Sequence, residues 1–242
     1  MATPKLRPAP VAARLLIAAL ICQPAAHAAR PLITDDARTV DAYACQVESW
    51  VKNNRNSREY WALPACNFTG NLELTLGGAK TDDDVLGSQT TDILFQGKTL
   101  FKPLETNGYG IGLAAGYAAH PASYANHALR GDPYFYVPAS FSFSNDHFVL
   151  HTNLGARHAR DQGKARGTWG VGSETLINPR LYVIAETYGE SGSTASYQIG
   201  VRYWVVPNHV QIDTTYGNRY GNHVDGHWIS IGLRLLSVPF LK

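Results

Sequence analysis

The sequence is short of what most soluble enzymes and nucleic-acid binders carry. Among 242 residues there is one methionine, the initiator, and only three cysteines. No apolar run reaches the roughly 20 residues that a membrane-spanning helix needs. There is no glycine-rich phosphate loop, no basic stripe, and no Cys/His set at metal-ligand spacing. Those absences remove nucleotide, nucleic-acid and metal chemistry from the reading, and no cofactor is called for. Helix-favouring composition is also missing, while Gly, Tyr, Thr and Val are plentiful, which is the make-up of a β protein.

What is present starts with an export signal. Lys5, Arg7 and Arg14 form a basic front, Leu15 to Cys22 is a short apolar run, and Ala26-His27-Ala28 offers small residues for cleavage. Residues 1–28 are therefore read as a signal peptide cut near Ala28. Its removal leaves 18 basic against 19 acidic residues, so the basic pI of the precursor carries no message about partners. Cys22 leaves with the signal, and an even pair, Cys45 and Cys66, remains in an exported chain. The simplest fate of such a pair is a disulfide. In "CQVESWVKNNRNSREYWALPAC", antiparallel pairing around "NNRNS" sets Cys45 opposite Cys66, Val51 opposite Tyr60 and Trp50 opposite Trp61. Directly opposed residues bring their Cβ atoms to roughly 4.5–5.5 Å, close enough to bridge after small adjustment.

From there one grammar repeats. Leu72, Leu74 and Leu76 alternate with polar or small residues, as do Tyr109 to Tyr117, Phe135 to Phe143, Tyr197 to Val205 and Ile229 to Leu235. Period two means strands with one apolar face. About twelve are counted over residues 45–242; ten or fourteen would also fit, because "TTDILFQGKTLFK" and "GTWGVGSETLI" alternate less cleanly. Short connectors ("CNFTG", "ETNG", "ND", "NPR", "PNH") trade places with longer ones ("TDDDVLGSQ", "PASYANHALRGD", "ARDQGKA", "NHVDG"). That is the pattern of a transmembrane β-barrel with short periplasmic turns and longer outer loops. A soluble β-sandwich also alternates, but it packs its apolar face on a second sheet. The opposite face here carries charges of both signs, as a wet or ion-paired lumen would. Phe101, Tyr109, Tyr117, Phe143, Phe148, Tyr203 and Trp228 fall near strand ends, where aromatic girdles belong. The fold class read from the sequence is all-β, a single antiparallel transmembrane barrel, with residues 29–44 as a periplasmic segment before it.

"ARPLITDDARTVDA", "CQVESW", "GNLELTLGG" and "GKTLFKPLETNGYGIGLAAG" resemble the outer-membrane barrels of the meta-pathway phenol-degradation family, whose members are regarded as transporters. The resemblance spans essentially the mature chain, with "RPL-x-TDDA" its sharpest feature. It implies passage of small hydrophobic or aromatic compounds through the outer membrane of a Gram-negative bacterium, and it carries no catalytic motif. Asp35 and Asp36 lie before the first strand; capping a turn or pairing with a base at the periplasmic mouth would each suit them.

The leading expectation is therefore a channel for small solutes. Glu73, Asp92, Gln96, Lys98, Arg157, Glu174, Glu186, Arg202, Asp213 and Arg234 are the candidates for its polar path, with Gly110, Gly112, Ala114 and Gly116 leaving space on one wall. The alternative is that those charges pair and plug the lumen, leaving a structural or surface-interaction barrel. An outer-membrane hydrolase is the third reading; His120, His127, His158, His223 and His227 would be its candidate bases, His158 close to Asp161 and His223 to Asp225, without any hydrolase spacing around them. Arg130-Gly131-Asp132 and "TDDD" read as an ordinary turn and a solvated loop. Expected partners are outer-membrane lipid and lipopolysaccharide, the barrel-assembly machinery and a small solute.

Overall fold

The computed structural model describes residues 30–85, 87–121, 130–221 and 226–241. The signal segment with its cleavage site lies outside these residues, as do His127, His223 and Asp225. The alternating stretches become β1 (Cys45–Asn54), β2 (Ser57–Asn67), β3 (Leu72–Asp83), β4 (Ser88–Lys102), β5 (Tyr109–Ala119) and β6 (Gly131–Phe143). They continue as β7 (Phe148–Ala159), β8 (Lys164–Asn178), β9 (Leu181–Glu190), β10 (Ser196–Val206), β11 (Val210–Arg219) and β12 (Trp228–Leu236). Each pairs antiparallel with its neighbours, and β12 returns to β1, so the barrel is closed. The two less regular stretches are strands after all, β4 and β8. Closure satisfies every strand edge, which is what lets a sheet sit in hydrocarbon.

The barrel is inside-out by the standard of a soluble protein. Arg202 and Arg234 are 1% and 2% exposed, whereas Leu154 and Leu76 are 72% and 61% exposed. The period-two apolar set faces outward and the charged set inward, so the sandwich alternative is gone. Phe101, Tyr109, Phe143, Phe148 and Tyr203 stand outward near the end where β1 begins and β12 ends, as a girdle requires. Trp228 departs from that expectation. It points inward and lies across Gly217, where any side chain would collide with its indole.

The first hairpin has the anticipated register, with Cys45 opposite Cys66 and Trp50 opposite Trp61. The disulfide is formed, and the two indoles stack with centroids 5.1 Å apart. The loops are shorter than the sequence suggested, because strands run on into them. β3 extends through Asp83, β4 begins at Ser88 and β8 begins at Lys164. The longer connections at that end are 120–130 and 220–227. At the other end the β6–β7 turn places Ser144, Asn145 and Asp146 all at positive φ, which short polar side chains tolerate.

Candidate functional site

Residues 30–44, expected in the periplasm, run through the lumen instead. From the foot of β1 the segment climbs inside the wall. Val40 is tied there by its own N–H, given to Glu73 Oε2 at 2.7 Å, and by its carbonyl, which accepts from Asn67 Nδ2 at 2.9 Å. The Ala37 N–H donates to Ser140 Oγ at 2.9 Å, and the Asp35 N–H to Asn153 Oδ1 at 2.8 Å. The N–H groups of Ile33 and Thr34 fork onto the two oxygens of Glu186, at 2.8 and 2.7 Å. Arg30 ends the described path, with Nη2 3.0 Å from Asp213 Oδ1 and its carbonyl accepting from Arg202 and Gln211. An irregular segment cannot satisfy its own backbone, so the wall's side chains do so.

This accounts for most of the inward charges. Lys98 Nζ sits 2.9 Å from Asp35 Oδ1 and 3.4 Å from Asp36 Oδ1, which answers what the two aspartates of "TDDA" are for. Arg202 bonds Glu174 at 2.9 Å, and Arg38 of the segment approaches the other Glu174 oxygen at 3.9 Å. Arg234 donates to Gln46 and lies 3.3 Å from Glu48 across the β1–β12 seam. Several charges also face each other in register, among them Glu73 with Lys98, Arg202 with Asp213 and Glu48 with Arg234. Three candidates stand apart from the segment. Gln96 accepts from the hydroxyls of Tyr134 and Tyr136, and Arg157 holds Glu190 and Asp132. Asp92 binds His120 at 2.8 Å, and that bond, more than the partial burial opposing it, holds the imidazole above its ordinary range.

The lumen is thus divided. Towards the end where β1 begins and β12 ends it is filled. Val40, Ala44, Trp204 and Leu236 form a buried apolar cluster with Tyr182 packed on it, and Ser140, His151 and Gln211 are fully buried. Towards the other end it opens as a cup of about 980 Å³, floored by residues 30 and 32–35 of the segment and walled by Trp50, Trp61, Tyr134 and Tyr188. The Arg30 guanidinium carbon lies over Trp50, 4.0 Å from the ring centroid.

The free space expected along β5 is absent. Tyr134 lies over Gly116 and Leu100 over Gly112, so neighbouring side chains have taken the room. The glycines that matter were not singled out in the sequence. Gly170 and Gly172 of β8 leave the hollow that Thr34 fills, and Gly232 of β12 leaves the one for Arg30 and Asp213. Alternate glycines on the polar face of a strand signal a close backbone approach.

A twelve-stranded porin-like barrel, its lumen occupied by its own N-terminal segment, is the class this architecture defines. The family model described as Uncharacterised conserved protein UCP029691 matches residues 16–236, and the chain belongs to that family. No curated protein matches it by sequence. Among solved structures it is similar to the KdgM porin, with a TM-score of 0.63 at 8% identity over 78% of this chain and 98% of that one. The NanC porin follows at 0.55 and 10% identity over 81% and 100%. Outer membrane phospholipase A from Escherichia coli reaches 0.50 at 11% identity over 84% and 100%. At such identities the likeness is one of fold. The family that matches is not the meta-pathway one, and that resemblance is met only as far as the porin-like barrel fold.

Proposed function

We propose that the protein is an outer-membrane channel for small solutes that carries its own gate, residues 30–44. The observation that carries this reading is the seat of that segment. Its N–H groups, carbonyls and aspartates are matched by side chains of β2, β3, β4, β6, β7, β9, β10 and β11. With the end where β1 begins and β12 ends facing the periplasm, the cup opens outward, and passage requires the segment to leave its seat. Its fold likeness to porins supports the same reading; one KdgM structure is a complex with disordered oligogalacturonate. The aromatic walls of the cup agree with the hydrophobic or aromatic solutes implied by the meta-pathway resemblance.

The test is planar-bilayer conductance of the detergent-folded chain, with a heat-sensitive gel shift as the check of folding. Deleting residues 30–40 is expected to turn a barrel with rare openings into one that conducts continuously. A folded deletion variant without conductance would sink the channel reading.

The hydrolase reading has one observation behind it. Ser140 Oγ lies 2.8 Å from His151 Nδ1, and His151 Nε2 lies 3.5 Å from Glu174 Oε1. All three are buried beneath the segment, and Ser140 Oγ already accepts the Ala37 N–H. A nucleophile needs room for its substrate. No phospholipid hydrolysis above that of the Ser140→Ala variant is expected; a clear excess in the wild type would reinstate the enzyme.

A further inference from the structure

The cup is more than the mouth of a closed tube. Its volume, about 980 Å³, is at the upper end of the roughly 300–1,000 Å³ typical of small-molecule sites. We propose that it binds an uncharged, hydroxyl-bearing ring compound, seated on Ile33 and against Trp61. The inference rests on the channel reading only for where the bound solute goes next.

Charge argues for a neutral ligand. Five cationic and five acidic side chains line the cup. Six of them pair with one another: Lys52 with Glu59 at 3.2 Å, Lys98 with Asp35 at 2.9 Å and Arg157 with Glu190 at 2.8 Å. A carboxylate or an ammonium entering here meets equal numbers of like and opposite charges and gives up its hydration for little return. A hydroxyl both donates and accepts, so it suits a wall made of paired ions, amides and alcohols.

Shape and polarity argue for a ring. Ile33 stands on the segment with 56% of its surface open, an apolar side chain left bare on the cup floor. Trp61, stacked on Trp50 and anchored through Nε1 to Glu59 Oε2 at 2.9 Å, gives the same cup a rigid aromatic wall. An apolar floor, an aromatic side and a hydrogen-bonding rim fit the flat body and hydroxyl edge of a phenol or a pyranose. Since Ile33 belongs to the segment, the ligand would rest directly on the gate.

Isothermal titration of the detergent-folded full chain distinguishes the two sources. Catechol is the phenolic probe and methyl α-glucoside the pyranose probe, with benzoate and glucuronate as their charged counterparts. At least one uncharged probe is expected to bind saturably, about tenfold or more tighter than its charged counterpart. Trp61→Leu and Ile33→Asp, each confirmed as folded by gel shift, are expected to weaken it about tenfold. Arg180→Ala, in the β8–β9 turn at the opposite end, should leave it unchanged. Catechol binding alone identifies phenolic solutes, and glucoside binding alone identifies sugars. No saturable heat with either, equal binding of the charged probes, or unaltered affinity in both variants would overturn the proposal. None of these readouts involves conductance, so a channel that fails to conduct leaves the binding result standing, and the converse holds.

Discussion

Replacing Lys98 with Met is expected to raise the open fraction of the barrel by about a hundredfold or more while the wall stays folded. Lys98 Nζ is the cation nearest both aspartates of the segment, at 2.9 Å from Asp35 and 3.4 Å from Asp36, and it faces Glu73 in register. It is almost wholly buried, as are Asp36 and Glu73. Methionine keeps the bulk and removes the charge, leaving three carboxylates facing one another around an apolar side chain. Breaking a buried pair by removing one partner costs about 3–5 kcal/mol, and each 1.4 kcal/mol is a factor of ten in an equilibrium. The molecule has a cheap escape from that cost. The segment can leave its seat and carry Asp35 and Asp36 into water, whereas the hydrogen-bonded ladder of the wall has no such freedom. The penalty therefore falls on gate closure. Conductance records and the gel shift, taken on one preparation, separate the outcomes. More openings in a heat-modifiable barrel agree with the argument; wild-type conductance from the folded Lys98→Met barrel would refute it. Lys98→Arg should stay close to wild type, since a guanidinium can serve the same two carboxylates.

How much of this was legible beforehand depends on which side of Cys45 one looks. Beyond it, the outward leucines and phenylalanines and the inward charges alternate so regularly that strand facing and the Cys45–Cys66 register follow from period two and one loop length, while the less regular β4 and β8 left the strand number between ten and fourteen. The inward charges were also found, Glu73, Lys98, Glu186 and Arg202 among them, because no other role suits ions on that face. Their partner was hidden. Residues 30–44 form no regular element, so nothing periodic marks them, and their contacts reach Asn153, Glu186 and Asp213, more than 100 positions away. Loop lengths misled for a local reason. "TDDD" reads as solvated loop, yet Thr81 to Asp83 pair with Thr90 to Ser88 at the open end of the barrel, where water reaches both strands. The "GVG" of β8 could have pointed to the gate: two glycines of one face, in a strand otherwise rich in larger residues, are a seat waiting for a backbone.

That seat offers the most direct control of the gate. A Cβ built on Gly172 lies 3.4 Å from the Cβ of Thr34, close to the roughly 3.5–4.5 Å between the Cβ atoms of disulfide partners. Thr34→Cys with Gly172→Cys should therefore staple the segment to β8 once oxidised. Gly172 lies inside a strand with no positive φ, so a cysteine is allowed there; the Glu186 Cβ, 3.3 Å from the new atom, has to yield by a few tenths of an ångström. The staple is best placed in the Lys98→Met background, where openings are frequent and their loss is unmistakable. Oxidised protein is expected to be silent, and reductant to bring the openings back. Reductant also reaches Cys45–Cys66, so the single Lys98→Met variant is carried through the same cycle and should conduct throughout. If a cross-link verified by mass spectrometry leaves conduction intact, solutes bypass the segment. The route then lies elsewhere in the barrel, and residues 30–44 are a fixed part of the wall. If the openings vanish and return with the bond, the charges that looked like the lining of a pore are instead the latch of its gate.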